Sequence, residues 1–449
     1  MTQINGTIDL DALAGTLCKL GGVGNVRDLG SAGPMRASAD DTGLFHCLFG
    51  RDAIRMALDL LEDFPEVART TLVTLAMLQG VRMNARSEEE PGRFLHEHRM
   101  PDDPHAVRLN EFWDWPYYGA VDTTPQWINL LTMYTAVQGF DILREELTDR
   151  RSRIVSIRDS LVSAVEWLLG RLDDASGAGY LWVRRASDSG NRSQVWEDSS
   201  DAFHDENGIL FDASRPFAPV AAQGYAYDAL LGAANLLEHS NVLSARSPSE
   251  LRRRAVQLRA MTLRHFWQPD LRTFAHALTI DAHGVATPVR IVASAPGHLL
   301  ATKILDGAEF CRLRDTLASR LLEDDMLAGA GIRTKSTRDP LFRPGAYHNG
   351  SVWPMDTGVI ADGLRQHGYV EQADDLENRI ISACATVGDF PEFFRGDLDG
   401  RVSINRESLT YLRDGRLHFR EQPPQIHQGW TTTRVWRILR RRGAVSPDL

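Results

Sequence analysis

A chain of 449 residues with 43% hydrophobic and 24% charged residues has the composition of a globular protein with a large core. It exceeds the usual single-domain size, so it requires either several compact domains or one closed repetitive architecture. The formal net charge of −10 argues against nucleic acid or anionic lipid as a partner, because both reward a positive field.

Taken in chain order, apolar residues recur mostly at helical spacing and seldom alternate. A weak pattern near 8–20 predicts an N-terminal extension or first helix within about residues 1–20. Stronger patterns follow at 50–63, 65–82 and 124–139, and Ile154, Ile157, Leu161, Val165 and Leu168 form a stripe. Helices are expected again at 217–238 and 247–266, weakly at 296–304, and then at 308–323 and 353–367. Val370, Ala373, Leu376, Ile380 and Ala383 form a further stripe, and 427–441 closes the chain with Arg437, Arg440, Arg441 and Arg442 at the end where cations complement a helix dipole. Short connections between 50–63 and 65–82, 217–238 and 247–266, and 353–367 and 370–387 predict antiparallel helical hairpins. No Pro-, Gly- or Ser-rich linker divides them, so one domain over 1–449 is expected.

Cys18, Cys47, Cys311 and Cys384 contain no C-x-x-C pair and read as reduced packing residues rather than a disulfide or zinc framework. A basic start followed by an apolar run is lacking, as is any stretch of about eighteen apolar residues; the cytoplasm is the expected location, with no membrane partner.

Between the hairpins lie polar segments rich in Trp, Tyr, Asp, His and Gly at 84–122, 176–212, 328–353 and 389–426. Connections this long in a compact protein generally carry function. The segment Gln194-Val195-Trp196-Glu197-Asp198-Ser199-Ser200-Asp201 sets three carboxyls beside an indole. Burial against an apolar ring raises a carboxyl pKa and retains the proton that a general acid must donate. A second acidic segment, His418-Phe419-Arg420-Glu421-Gln422-Pro423-Pro424, precedes Gln428-Gly429-Trp430. Inverting glycoside hydrolysis needs two carboxyls about 6.5–9.5 Å apart with a water between sugar and base, and loops on one rim of a ring of hairpins can meet that need.

Six motifs occur in order: Gly50-Arg51-Asp52, Tyr117-Tyr118-Gly119-Ala120-Val121-Asp122-Thr123-Thr124-Pro125, Trp196-Glu197-Asp198-Ser199, Gln223-Gly224-Tyr225, Tyr347-His348-Asn349-Gly350-Ser351-Val352-Trp353-Pro354 and Pro391-Glu392-Phe393-Phe394. Together they resemble the bacterial amylo-alpha-1,6-glucosidase (glycogen-debranching) family of six-hairpin glycosidases, over about residues 43–440. The resemblance implies an all-α (α/α)6 toroid that hydrolyses α-glucosidic bonds with inversion and uses no cofactor. It implies Asp198 as the acid, with Glu197 and Asp201 as alternatives, and Glu421 as the base, with Glu392 as the alternative.

Arg51-Asp52 resembles a pair that grips sugar hydroxyls in related glucoamylases, a task suited to a guanidinium fork beside a carboxylate; Asp52 can equally stabilise a helix N-terminus. His96, Glu97 and Arg99 resemble a cavity-lining loop. His96-x-His98 offers two imidazoles but no third ligand, so no metal is expected. Tyr118, Trp196, Trp353 and Trp430 offer flat faces for sugar rings, and Asp122, Gln223, Tyr225 and His348 complete the expected substrate contacts. Since the toroid accounts for nearly the whole sequence, a small-molecule glucoside or oligosaccharide is the expected substrate. Epimerisation, phosphorolysis or elimination on the same toroid, or carbohydrate binding without turnover, are the alternatives.

Overall fold

The computed structural model describes residues 7–173, 179–239, 246–280, 285–413 and 416–447, with backbone only over 411–413 and 416–420. Residues 1–6 of the expected N-terminal extension lie outside the described residues. The helices are α1 (Leu10–Gly21), α2 (Gly50–Leu60), α3 (Pro65–Met77), a short α4 (Pro104–Leu109), α5 (Thr123–Gln138), α6 (Ile157–Leu172), α7 (Val220–His239), α8 (Pro248–Phe266), α9 (Cys311–Leu321), α10 (Pro354–Gln366), α11 (Val370–Val387) and α12 (Gly429–Arg441).

An inner ring runs through α2, α5, α7, the 3₁₀ segment Ala295–Ala301, α10 and α12. Each member packs on the next, and α12 packs back on α2 to close the circle. Outside it stand α3 against α2, α6 against α5, α8 against α7, α9 against Ala295–Ala301, α11 against α10 and α1 against α12. This is an (α/α)6 toroid. The fourth inner member is a 3₁₀ segment packed closely on α10, where a Cβ on Gly297 would come within 2.8 Å of Ile360.

The two rings differ as their surroundings require. Inner α7 is buried on nearly all sides through small residues such as Ala221, Ala222, Gly224, Ala226, Ala229 and Ala233, as expected of a helix with protein all round. Outer α8 buries only Leu251, Ala255, Leu258, Thr262 and Phe266, a single stripe at three- and four-residue spacing. The helix expected over 65–82 stops at Met77; Gly80 then runs so close to the Glu90 carbonyl that a Cβ would lie 2.3 Å from it.

The last-turn arginines do more than complement a dipole: Arg437 pairs with Asp59 and Asp362, and Arg440 with Asp63. They tie α12 to α2 and α10 across the closure of the ring. The four cysteines are free thiols. Among the described residues no helix is long and apolar enough to cross a membrane.

Short backbone pairings bring the rim loops together. Leu48–Phe49 pairs antiparallel with Glu97–His98, and Gly50 N–H donates to the His96 carbonyl at 2.9 Å. A Cβ at Gly50 would lie 2.3 Å from the Leu95 carbonyl, so only glycine allows the start of α2 to approach the His96 loop this closely. Val352 and Phe394 exchange backbone hydrogen bonds of 2.9 and 2.8 Å, which places Glu392 beside the Tyr347–Trp353 turn.

Candidate active site

All four loops expected to carry function meet at one cavity of about 210 Å³, small for a ligand site. Arg51 and Asp52 reach it from the first turn of α2, His96 and Glu97 from the first of these loops, Asn191, Trp196 and Asp198 from the second. Tyr347 and Trp353 enter from the third, Glu392 and Gln425 from the fourth, and Gln428 and Trp430 from the start of α12.

Asp198 keeps 29% of its side chain exposed within this wall. Arg51 Nη2 stands 3.6 Å and His96 Nε2 3.9 Å from its Oδ2, both beyond hydrogen-bond reach. Burial raises its pKa to about 7; Arg51 opposes the rise, while Asp52 and Asp122 add to it. Glu392 differs in having donors against it. Tyr347 Oη–H donates to its Oε1 at 2.5 Å and the Gln425 N–H donates to Oε2 at 3.4 Å. Burial nonetheless raises its pKa to about 8, with Asp52 and Asp198 contributing repulsion against those donors. Asp52 accepts from Gln428 Nε2 at 3.4 Å, and burial lifts its pKa to about 6 against the pull of Arg51. Two carboxyls that exchange protons near neutrality, in a shielded pocket with an aromatic wall, can give a proton to a leaving oxygen and take one from water.

The alternatives in the acidic loop have other tasks. Glu197 is buried with Lys335 Nζ at 2.6 Å and His276 Nε2 at 2.7 Å. Burial disfavours its charge, but these partners outweigh burial and hold it well below the usual carboxylate range. His276 is itself held at about 4 by burial, so Lys335 supplies the compensating charge. Asp201 accepts from Ser199 Oγ at 2.8 Å and stands outside the cavity lining.

Of the expected sugar contacts, Arg51, Asp52, His96, Glu97, Trp196, Trp353 and Trp430 line the cavity. Seven other expected site residues do not. Arg99 is behind the wall, clamped on Glu97 and bonded to Asp103 and the Leu44 carbonyl. Tyr118 turns outward: its hydroxyl donates to the Leu78 carbonyl at 2.6 Å and accepts from Arg150. Asp122 holds Arg51 Nη1 at 2.7 Å from behind. Gln223 uses its amide on the backbone of Leu181 and Pro219, which leaves nothing for a ligand. Tyr225 bonds His298, which in turn bonds Asp356 and stacks beneath Trp196 at 5.8 Å.

His348 accepts from the Ser199 N–H at 3.2 Å and stacks on Trp353 at 5.0 Å. The expected base, Glu421, accepts from Arg395 Nη1 at 2.9 Å and occupies the Ala346 backbone bridge; the cavity wall carries Glu392 in its place. Sequence reasoning passed over Tyr347 and Gln428 as side chains, although both stood inside segments already singled out. Phe45 and Ser38, also in the wall, precede the first motif, and no sequence pattern points to them. Among the described residues no group of three His, Cys, Asp or Glu side chains is arranged to hold a metal ion.

The family model described as Mannosylglycerate hydrolase MGH1-like glycoside hydrolase domain matches residues 116–400, a span that contains Asp198 and Glu392. No curated protein matches the sequence. Among solved structures, the GH63 mannosylglycerate hydrolase of Thermus thermophilus in complex with Tris is similar with TM-score 0.62 at 14% identity, over 96% of this chain and 99% of that one. Its complex with Tris and D-glycerate gives the same TM-score and identity over 96% and 100%. The complex with glucose gives 0.56 at 13% identity over 86% and 92%.

Proposed function

The chain belongs to the MGH1-like glycoside hydrolase family, and on that premise we propose that it hydrolyses a small α-hexoside with inversion, using Asp198 as general acid and Glu392 as general base. The observation that carries this reading is the presence of Asp198 and Glu392 in one cavity wall together with Arg51, Asp52 and three tryptophans. The order of roles rests on their hydrogen bonds. Both oxygens of Glu392 accept from protein donors, which favours its charged form against the burial that raises its pKa to about 8 and orients it toward a water. Among the described residues no side-chain donor lies within hydrogen-bond reach of Asp198, which leaves its proton free for a glycosidic oxygen.

In the reaction, Glu392 removes a proton from a water as that water's oxygen bonds to the anomeric carbon. The bond from that carbon to the aglycone oxygen breaks on the opposite side, and this oxygen receives the Asp198 proton. Arg51 and Asp52 bind hydroxyls of the glycone, and Trp430 and the edge of Trp353, on which His348 and Phe393 stack, border its apolar side. The glucose expected from the sequence is widened to glucose or mannose, because the similar hydrolase is named for mannosylglycerate and was also solved with glucose. The small substrate expected from the sequence is supported by the cavity of about 210 Å³.

The test is the anomeric form of the first product. Proton NMR during turnover of an α-glucoside or α-mannoside should show the β sugar before mutarotation; initial release of the α sugar would refute inversion. Asp198→Asn should retain turnover on α-glucosyl fluoride, whose leaving group needs no proton, whereas Glu392→Gln should lose it. The opposite pattern would exchange the two roles.

A further inference from the structure

The cavity wall has a pronounced charge imbalance. Four carboxyls line it, Asp52, Glu97, Asp198 and Glu392, against one guanidinium, Arg51. Arg99 behind the wall balances Glu97, and one proton resides on Asp198 or Glu392 in the active form, so Asp52 and one member of that pair carry the excess negative charge. Arg51 is not available as a free cation: Asp122 holds Nη1 at 2.7 Å, and Asp198 lies 3.6 Å from Nη2. The remaining basic group, His96, is buried, and burial with the nearby Arg51 holds it neutral. Among the described lining residues no other cation faces the space. The rest of the wall is uncharged: aromatic rings, the hydroxyls of Ser38 and Tyr347, and the amides of Asn191, Gln425 and Gln428.

The lining residues leave Ser38 Oγ, Arg51 Nε, His96 Nδ1, Trp196 Nε1, Trp430 Nε1 and Gln425 Oε1 buried without a protein partner. Hydroxyls can satisfy such a mixture because each both donates and accepts. A carboxylate can only accept, so it would leave the Gln425 carbonyl unmatched and add a negative charge to an acidic, shielded pocket.

We propose that the aglycone of this enzyme's substrate is an uncharged, hydroxyl-bearing group, and that the cavity discriminates against a carboxylate-bearing aglycone such as glycerate. The inference deepens the hydrolase reading and rests on it for the identity of the site. It separates this chain from the similar Thermus hydrolase, which is named for mannosylglycerate and was solved with D-glycerate. Rejection here is repulsive: it brings like charges together with little water between them.

The experiment uses two sulfur-linked, uncleavable α-glucosides of equal size, one of glycerol and one of glycerate, titrated into the wild-type protein by calorimetry near pH 7.5. The glycerol compound should bind at least about tenfold more tightly, the factor set by a difference of about 1.4 kcal/mol. Equal or tighter binding of the glycerate compound would overturn the proposal. Gln425→Arg, which adds a cation to the wall, should narrow the gap at least about threefold; an unchanged gap in a folded variant would show that charge is not its cause. Turnover of the oxygen-linked pair is measured separately. Preference for the neutral analogue with no cleavage of either would fail the hydrolase reading alone, whereas no binding of either analogue would defeat both.

Discussion

Glu197 and Asp198 are bonded neighbours facing two different media. Behind the wall, Glu197 lies in a buried polar layer with Lys335 and His276 and keeps its charge because a cation touches it. In front, Asp198 faces the cavity with Arg51 too far away for a hydrogen bond and two like-charged neighbours, and burial holds its proton toward neutrality. Residue type and sequence position barely separate these carboxyls. The difference comes from which side of the loop meets a partner cation, so one segment supplies both a rigid anchor and a titrating group. The buried layer fixes the loop, and the cavity side is left free to exchange protons.

The strongest way to break this contrast is to remove the titrating groups. Asp198→Asn and Glu392→Gln should each lower kcat on an unactivated α-hexoside by about 10²–10⁴-fold, the scale of one acid or base, with melting temperatures near wild type. Steady-state assays that left either variant within about tenfold of wild type would remove that residue from the reaction. The anchor should respond in the opposite manner. Lys335→Met leaves Glu197 buried without its cation and should cost about 3–5 kcal/mol of stability by denaturant titration. The double variant Glu197→Gln with Lys335→Met should recover much of that loss, since no unpaired charge remains.

The pH profile sharpens the same comparison. With the pair titrating at about 7 and about 8, the active form is the singly protonated one that carries its proton on Asp198, the minor of the two such forms because Glu392 is the weaker acid. Below about 7 both carboxyls carry protons and no base exists to activate water; above about 8 both are ionised and no acid remains. The expected kcat/KM profile is a narrow bell, rising through pH 7 and falling through pH 8, about tenfold per unit on either side. Glu197 contributes neither limb, because its proton leaves far below this range. A rate constant that is flat from pH 5 to 9 would contradict the assignment of the pair.

How much of this was legible in the sequence can be traced residue by residue. The outer helices announced themselves, since α6 and α11 bury regular stripes such as Leu161–Leu168 and Leu376–Ala383 against solvent-facing polar sides. Ala295–Ala301 gave only a weak signal, because a segment of 7 residues is too short to display a helical period. In the site, Arg51, Asp52 and Trp196 were found because each stands at the start of a helix or in a short motif whose backbone has few ways to run. Tyr118 and Gln223 misled for a physical reason. A motif marks where the backbone must be, but neighbouring side chains point to opposite sides: Tyr118 donates to the Leu78 carbonyl, and Gln223 binds Leu181 and Pro219. Periodicity does not report which side faces a cavity closed by distant loops.

The choice between Glu421 and Glu392 illustrates that point and yields the smallest expected effect. Both precede aromatic or proline-rich segments, and both are buried, at 4% and 6% exposure. Their surroundings divide them: Arg395 takes a Glu421 oxygen, while Asn405 bridges the Gly345 and Gln422 carbonyls beside it. Glu421 thus fastens the hairpin Leu409–Arg413 and Arg416–Glu421 to the turn that carries Tyr347, and Tyr347 in turn holds Glu392. Glu421→Gln keeps the shape and can still accept a hydrogen bond, but it loses the charge opposite Arg395. It should cost about 1–2 kcal/mol of stability and change kcat by no more than about threefold, without moving either limb of the pH profile. A loss of about a hundredfold at unchanged stability would restore Glu421 to the reaction and displace Glu392 from it.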